Sequence, residues 1–275
     1  MNISWNIKGV LHLPTFPAVM GILNTTPDSF HSDSRTASVD DALRTAERML
    51  AEGALFLDIG GASTRPGAHE VPIPEELRRV LPTIEAVHRR FPQVLISVDT
   101  YRAAVAEAAV QAGACLVNDI GAGLLDPAML DTVARLRVPY ITMHMQGTPP
   151  TMQHDPRYTD VAAEVTCSLS ERVQAAHAAG IADVIVDPGL GFGKTTAHNL
   201  TLLRELGRMK ALGYPMLIGL SRKRMINEVL GTTPDQALNG TSVLNTIALL
   251  NGADILRVHD VKEAMQAVAL VKALG

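Results

Sequence analysis

The sequence predicts one α/β domain, residues 1–275, folded as a (β/α)8 TIM barrel with a short N-terminal hairpin. Two observations predict it: eight short apolar runs that each close on a polar residue, and helical patterns that separate most of these runs. Strands that alternate with helices along a chain pair in parallel. Because no linker rich in proline, serine or glycine is long enough to divide the chain, a closed barrel is favoured over an open doubly wound sheet or two domains.

The eight runs form two alternating sets, which together make a degenerate internal repeat. Each run of the first set begins with a glycine, a residue that suits the left-handed conformation at the end of a helix. They are 53–58, 113–118, 180–187 and 252–257. Runs of the second set follow a proline, which a strand tolerates at its first residue. They are 18–24, 94–99, 140–144 and 216–221. The helical patterns include 39–51, 75–91, 197–212 and 261–274.

Residues 1–15 precede the first run. Gly9 stands between two short stretches, 3–5 and 10–12, that contain apolar residues. This arrangement indicates a hairpin, and we expect it to close the N-terminal end of the barrel.

Composition excludes several classes of protein. A net charge of -4 and a pI near 6.1 argue against nucleic acid or an anionic membrane as a partner, because both require a basic face. No run approaches the roughly 18 apolar residues of a membrane span, and the N-terminus lacks the features of a secretory signal. We therefore expect a cytoplasmic protein in which Cys115 and Cys167 are buried small hydrophobic residues.

Polar residues end nearly every predicted strand, and a barrel of this kind carries its active site at the carboxyl ends of its strands. The strand-ending residues are Asn24, Asp58, Asp99, Asn118 with Asp119, Met143 with His144, Asp187, Ser221 with Lys223, and Arg257 with His259. Turn formation by Asn and Asp explains many of them singly. It explains poorly why all eight ends converge on one mouth, so we expect a binding site there.

One group in this mouth suits a fused heterocycle. Asp99 and Asp187 carry carboxylates, which accept hydrogen bonds, whereas the Asn118 amide both donates and accepts them. This set fits a ligand with several adjacent N–H donors and a carbonyl, such as an aminopyrimidinone ring.

A second, cationic group is expected opposite the first. Its members are Arg65, Lys223, Arg257 and His259. Such a set suits phosphate oxygens and a diphosphate leaving group. For Arg65 alone, a surface ion pair is the alternative interpretation.

The segment 187–196 resembles a nucleotide-binding loop but fits neither template. A P-loop requires glycine where Pro188 stands, and the dinucleotide fingerprint requires glycine where Lys194 stands. We expect its glycines to let the backbone approach a flat ligand on which Phe192 stacks. A plain flexible turn is the alternative.

Two long polar loops, 25–38 and 60–74, follow the first two predicted strands. Loops of this length on a compact barrel are usually lids or binding loops. Phe30, on the first loop, is either a binding aromatic or a local packing residue.

Together, these motifs resemble the dihydropteroate synthase family. The runs that carry the resemblance are 20–30, 58–61, 63–67, 97–100, 118–120, 143–147, 187–194, 221–223 and 257–260. They follow the family's order from residue 18 to residue 272. Each motif is weak alone, but jointly they are highly specific.

The resemblance implies a transferase of folate biosynthesis. It would condense (7,8-dihydropterin-6-yl)methyl diphosphate with 4-aminobenzoate to give 7,8-dihydropteroate and diphosphate, with Mg²⁺ as cofactor. By family analogy the C–O bond breaks largely before the aniline nitrogen attacks, so catalysis must stabilise the charge on the departing diphosphate. The resemblance also implies a homodimer formed through helices late in the chain.

The resemblance further implies which residues form each part of the site. The pterin site would use Asp99, Asn118, Ile120, Met143, Asp187, Phe192, Gly219, Lys223 and Arg257. The diphosphate site would use Asn24, Thr64, Arg65, Arg257 and His259, with Asn24 as the Mg²⁺ ligand. The aminobenzoate site would use Phe30, Pro66, Gly191, Phe192, Lys223 and Arg224. The residues implied to be catalytic are Asn24, Lys223, Arg257 and His259.

The sequence departs from the family pattern in three places. Residues 31–36 replace a common Ser-Asp-Gly-Gly, Ala62 replaces a common glutamate, and Arg224 stands where a serine often follows the lysine. Arg224 falls where the aminobenzoate carboxylate is expected, beside a helix N-terminus that already favours anions. Its charge either assists binding or points outward.

Two rival functions share part of this pattern. A methyltransferase barrel that passes a methyl group from a methylated folate to a corrinoid protein would share the carboxylate and amide set, but it needs no diphosphate cluster. A non-enzymatic pterin or phosphate binder would be an inactive relative. The presence of Asn24, Lys223 and Arg257 speaks against that alternative.

Overall fold

A computed structural model of the chain describes residues 4–25, 35–62 and 70–275. Its strands are β1 (Trp5–Ile7), β2 (Val10–His12), β3 (Ala18–Asn24), β4 (Phe56–Gly60), β5 (Leu95–Asp99), β6 (Leu116–Asp119), β7 (Tyr140–Met143), β8 (Val184–Asp187), β9 (Leu217–Ile218) and β10 (Ile255–Val258). Its helices are α1 (Arg35–Ala51), α2 (Ile73–Arg90), α3 (Ala103–Ala112), α4 (Met129–Leu136), α5 (Val161–Ala178), α6 (Thr196–Arg204), α7 (Leu206–Lys210), α8 (Arg224–Leu230), α9 (Leu238–Leu250) and α10 (Val261–Leu274), and a 3₁₀ turn covers Pro234–Gln236.

The strands β3 to β10 form a nearly closed parallel barrel. Neighbours in the chain are neighbours in the sheet from β3 to β8, and β10 pairs with both β3 and β9. The remaining seam lies between β8 and the start of β9. There Val186 forms a bridge with Met216, and the Val186 N–H donates to the Pro215 carbonyl at 2.9 Å. The predicted (β/α)8 barrel is confirmed.

The repeat found in the sequence has a physical basis in the backbone. The glycines that stand between a helix and the next strand all have positive φ angles; they are Gly53 (106°), Gly113 (126°), Gly180 (99°), Gly213 (82°) and Gly252 (97°). A residue with a side chain is strained in that conformation, so glycine marks these helix ends. The helical pattern 197–212 is divided into α6 and α7 at Glu205, two residues before Gly207, where helix propensity is low.

The helices cover the outside of the barrel with one apolar face. In α5, buried Val165, Leu169 and Val173 recur every four residues, so they share the face that packs on the strands. Asp160 caps this helix, because its carboxylate accepts hydrogen bonds from the N–H groups of Ala162 and Ala163.

The N-terminal hairpin closes one end of the barrel, as expected. β1 and β2 are antiparallel, and the Trp5 ring lies 5.7 Å from Phe16 and 5.6 Å from Phe56 between ring centroids. Trp5 belongs to a core cluster built from the first residues of the barrel strands, including Phe56, Leu116 and Ile255. The opposite end of the barrel is therefore the one left for a binding site.

Two findings concern the predicted environment of the chain. Within the described ranges, no helix is long and apolar enough to cross a bilayer.

Cys115 is buried, but Cys167 is exposed. The prediction that both cysteines are buried is wrong for Cys167, because this residue lies on the solvent side of α5.

Candidate active site

A cluster of charged and polar side chains lies at the carboxyl ends of β4, β5, β6 and β10. Arg257 donates from Nε to Asp58 Oδ2 and from Nη2 to Asp99 Oδ2, at 2.6 Å each. Asn118 Nδ2 donates to the same Asp58 oxygen at 3.0 Å. Parallel pairing in register brings these strand ends together. We call Asp58, Asp99, Asn118 and Arg257 the carboxylate–arginine cluster.

This cluster corrects one part of the sequence interpretation. The cationic set was expected to stand opposite the carboxylates, whereas Arg257 lies directly between two of them. The reason is that β10 pairs with β3, which is followed in the barrel by β4 and β5, so the long Arg257 side chain reaches past β3 to Asp58 on β4 and to Asp99 on β5.

Asp58 is the member that sequence reasoning left out of every proposed ligand set. It was recognised only as a strand end, which is the signal that identifies it. Asp58 is fully buried, and its Oδ1 has no hydrogen-bond partner among the residues that the structure describes. A buried carboxylate oxygen without a partner is destabilising, and such costs are found mainly where function requires them.

Lys223 and Phe192 meet on the other side of the mouth. The Lys223 ammonium lies 4.6 Å from the centroid of the Phe192 ring, a cation–π contact, and it donates to the Leu190 carbonyl. Gly219 follows β9 beside this group: a Cβ built on it would lie 3.9 Å from the side chains of Lys223 and Arg257.

Burial changes the protonation of groups in the mouth. Burial raises the pKa of Asp99 to about 7, with Arg257 acting to lower it and Asp58 to raise it further. Burial lowers the pKa of Lys223 to about 8, and the nearby Asp187 carboxylate opposes that change. Burial also raises the pKa of Asp187, against the influence of Lys223. Asp99 and Lys223 therefore titrate near neutral pH, which is common for groups at functional sites.

The segment 188–193, here called the glycine loop, carries Phe192 into the mouth. Two of its glycines make room for the protein's own backbone. A Cβ on Gly189 would lie 1.9 Å from the His144 carbonyl oxygen, and a Cβ on Gly193 would lie 2.4 Å from that of Gln146. Gly189 and Gly193 thus admit the backbone that follows β7, and the close approach of this loop to a flat ligand stays a prediction.

Ile120 and Met143 supply apolar walls next to the polar groups. Both are buried, Met143 at the end of β7 and Ile120 directly after β6. A Cβ on Gly189 would contact Met143 at 3.1 Å, so Met143 lies under the glycine loop.

Ser221 and His259 form a second polar contact at the strand ends. The Ser221 hydroxyl lies 3.0 Å from His259 Nδ1, and the His259 N–H donates to the Ser221 oxygen at 3.2 Å. Asn24, which ends β3 opposite Gly60 of β4, is half-buried at the same end of the barrel.

Two strand-ending residues serve the fold and not the mouth. Asp119 accepts hydrogen bonds from the Tyr140 hydroxyl at 2.6 Å and from the N–H groups of Gly121 and Gly123 at 2.7 Å. His144 contacts the buried Lys194 side chain, with 2.9 Å between His144 Nδ1 and Lys194 Nζ. Both Asp119 oxygens and His144 Nδ1 therefore already have partners within the protein.

The side chain of Arg224 points outward. It is 78% exposed and pairs with Glu228 one turn along α8. The sequence left open whether the Arg224 charge assists binding or points outward, and in this structure it points outward.

The remaining predicted residues are Phe30, Thr64, Arg65 and Pro66, and they lie outside the described residues.

Among the residues that are described, no group of three His, Cys, Asp or Glu could hold a metal ion. Mg²⁺ commonly keeps several waters and takes one or two protein oxygens together with substrate phosphates. A single amide oxygen from Asn24 fits that mode of binding.

Comparison with known proteins gives concordant similarities. The family model described as "Pterin binding enzyme" matches residues 20–259. Dihydropteroate synthase of Escherichia coli (strain K12) is 45% identical over 259 residues, covering 94% of this chain and 91% of that protein. Among solved structures, Xanthomonas albilineans dihydropteroate synthase with 4-aminobenzoic acid superposes with a TM-score of 0.92 at 45% identity, covering 100% of this chain and 98% of that one.

A second structure of the Xanthomonas albilineans enzyme, in complex with 7,8-dihydropteroate, matches with a TM-score of 0.88 at 42% identity. The match covers 99% of this chain and 98% of that chain. Similarity thus extends over nearly the whole chain and includes a product complex.

Proposed function

The chain belongs to the dihydropteroate synthase family of pterin-binding enzymes, and we propose that its barrel mouth divides into pterin, diphosphate and aminobenzoate sites. As a transferase of folate synthesis, it condenses (7,8-dihydropterin-6-yl)methyl diphosphate with 4-aminobenzoate, giving 7,8-dihydropteroate and diphosphate. The C–O bond of the methyl diphosphate breaks, the aniline nitrogen forms the new C–N bond, and one N–H proton is released.

The pterin ring binds between the carboxylate–arginine cluster and the glycine loop. The observation that carries this proposal is the meeting of Asp99, Asn118 and Asp187 with Lys223 and Arg257 at one end of the barrel. Carboxylate and amide oxygens accept from the ring N–H groups, and the Asn118 amide also donates. Deep burial makes each of these hydrogen bonds selective, because a ligand without the matching donor leaves buried acceptors unpaired.

Apolar and cationic surfaces complete the pterin site. Ile120 and Met143 bury the edge of the ring, and Phe192 offers a face against which the ring packs. Gly219 leaves space beside Lys223 and Arg257, where a Cβ would narrow the pocket. The similar structure of the Xanthomonas albilineans enzyme in complex with 7,8-dihydropteroate supports this assignment.

The diphosphate is held on the side of the mouth where β3 and β10 end. Arg257 and His259 provide positive charge or N–H donors for its oxygens, together with Thr64 and Arg65. Asn24 would hold Mg²⁺ through its amide oxygen, and the ion, when bound, supplies charge that stabilises the departing diphosphate. Because diphosphate gains negative charge as the C–O bond breaks, these donors act mainly in the transition state.

The aminobenzoate site adjoins the glycine loop. Gly191, Phe192 and Lys223 line it, and it extends to the start of α8 at Arg224, whose side chain points outward. Phe30 and Pro66, which lie outside the described residues, are assigned to this site by the family resemblance alone. The neighbouring enzyme whose structure contains 4-aminobenzoic acid supports a site for this substrate.

The active enzyme is a homodimer that pairs through α9. Val243, Ile247 and Leu250 are exposed at spacings of four and three residues, so they form one apolar stripe along this helix. Exposed Val229 and Leu230 belong to the neighbouring α8. A stripe of this kind is typical of a surface that a second copy covers.

The enzyme acts in the cytoplasm. Its two cysteines are free, and the exposed Cys167 thiol suits a reducing compartment. The dihydropterin substrate is itself easily oxidised, which favours the same compartment.

Product analysis tests the function. The purified protein with both substrates and Mg²⁺ should form 7,8-dihydropteroate, identified by its mass, and chelation of Mg²⁺ by EDTA should abolish the reaction. If no dihydropteroate is formed under any metal condition, the function is wrong. If it forms equally in EDTA, only the role of Mg²⁺ is wrong.

A further inference from the structure

The carbonyl groups of the glycine loop are held by side chains from outside the mouth. The Gly189 and Phe192 carbonyls each accept from the Lys194 ammonium at 2.9 Å. The Gly191 carbonyl accepts from the Gln153 amide at 2.6 Å, and the Gly193 carbonyl accepts from the Tyr158 hydroxyl at 2.8 Å. These four carbonyls of the six-residue loop thus have a donor from outside the mouth, and a fifth, that of Leu190, accepts from Lys223.

Lys194 is the deepest of these donors. Its side chain is almost completely buried, and its ammonium also lies 2.9 Å from His144 Nδ1 and 3.3 Å from the His144 carbonyl oxygen. All three ammonium protons therefore have acceptors. An amine is costly to bury unless it is fully hydrogen-bonded, so Lys194 is held in place by the loop that it organises.

Gln153 acts closer to the mouth. It lies between β7 and α5, and its side-chain amide donates to the carbonyl of Gly191, the loop residue next to Lys223. A Cβ on Gly191 would lie 3.1 Å from Lys223 Cδ. Any displacement of Gly191 consequently moves the surface against which Lys223 and Phe192 are packed.

We propose that Gln153 and Lys194 are positioning residues, which fix the glycine loop so that Phe192 and Lys223 face the aminobenzoate substrate. Neither side chain reaches a substrate; each acts through loop carbonyls. The proposal rests on the assignment of Gly191, Phe192 and Lys223 to the aminobenzoate site given above. It adds the β7–α5 segment to the parts of the protein that determine how the second substrate binds.

Steady-state kinetics of Gln153→Leu test the proposal. We expect the KM for 4-aminobenzoate to rise roughly tenfold, the factor that corresponds to loss of one hydrogen bond at the loop. The KM for the pterin diphosphate should rise less, because Asp99, Asn118 and Asp187 lie in strands and do not depend on the glycine loop. The melting temperature should stay near that of the parent. A merely structural residue would lower the melting temperature without separating the two KM values.

Gln146→Leu is the matched control. Gln146 lies in the same segment, but its amide donates to the Arg157 carbonyl at 2.9 Å instead of the glycine loop. Its two KM values should equal those of the parent. Lys194→Met, which keeps the length of the side chain but removes its donors, should raise the KM for 4-aminobenzoate further if it folds.

Amide hydrogen exchange gives an answer that does not depend on turnover. Peptides covering 188–194 should exchange faster in Gln153→Leu than in the parent, and at the parent's rate in Gln146→Leu. Unchanged exchange and an unchanged KM in Gln153→Leu would overturn the positioning role, as would equal effects in both variants. Failure of the parent to form dihydropteroate would instead refute the proposed function, and exchange would still decide the role of Gln153.

Discussion

Arg257 and Asp58, 199 residues apart in the chain, form an ion pair with 2.6 Å between Nε and Oδ2 at the mouth of the barrel. The same guanidinium binds Asp99. Asp58 is fully buried, and the Arg257 side chain is only 19% exposed. A cation placed in this way offsets the charges of two neighbouring carboxylates, of which Asp58 is fully buried and Asp99 is 16% exposed.

Removal of this cation should destabilise the protein. In Arg257→Met, Asp58 and Asp99 are left as adjacent buried carboxylates, which should lower the free energy of unfolding by about 3–5 kcal/mol at pH 7.5. Burial already raises the pKa of Asp99 to about 7, and loss of Arg257 raises it further. The folded variant therefore takes up this proton at a higher pH than the folded parent does, so its deficit should shrink as the pH falls from 7.5 to 5.

Urea unfolding at both pH values measures this effect. Arg208→Met is the control, because Arg208 pairs only at the surface, 3.6 Å from Asp160, and should change stability by less than about 1 kcal/mol. A deficit for Arg257→Met that matches this control, or that grows as the pH falls, would show that the cluster is not a buried charge network.

Lys223 should give the reaction an alkaline limit. Burial lowers the pKa of Lys223 to about 8, so the side chain is a cation below pH 8 and neutral above it. We expect kcat/KM for 4-aminobenzoate to fall as the pH rises through about 8. In Lys223→Arg the guanidinium keeps its charge, so the fall at pH 8 should be absent even though activity is reduced. An identical alkaline fall in both proteins would assign it to another group.

Asn24 should set the metal requirement. If its amide oxygen binds Mg²⁺ carried by the diphosphate, Asn24→Ala should need a higher Mg²⁺ concentration for half-maximal turnover, by roughly tenfold for one lost ligand. Initial rates over a Mg²⁺ titration measure the shift. Superimposable titration curves for variant and parent would exclude contact between Asn24 and the metal.

The stripe on α9 should hold two copies of the chain together. Ile247→Glu places a charge at the centre of that stripe and should convert the dimer to a monomer in sedimentation velocity. Leu13→Glu changes an equally apolar, exposed residue in the N-terminal segment and should leave the dimer intact. A parent protein that sediments as a monomer would contradict the proposed dimer directly.

The barrel and the position of its site follow from local patterns. Glycine at helix ends and proline before strands each have a backbone cause, so they mark strand boundaries reliably. The rule that parallel strands end at one face then brings Asp99, Asn118 and Asp187 together without any knowledge of side-chain conformation.

Pairings across the mouth do not follow from such patterns. That Arg257 reaches Asp58 and Asp99 depends on the length of its side chain and on which strand lies between them. The purpose of Gly189 depends on the path of the backbone after β7, which no spacing within the loop reveals. The sequence thus predicts that these residues meet at one end of the barrel, but it does not predict their hydrogen-bond partners.

Release of diphosphate tests the central claim most directly. The protein should be supplied with (7,8-dihydropterin-6-yl)methyl diphosphate alone, with 4-aminobenzoate alone, and with both, always with Mg²⁺. A synthase should release diphosphate rapidly only with both substrates, in a one-to-one ratio with 7,8-dihydropteroate. Release at the same rate from the pterin substrate alone, or no release with both, would contradict the account.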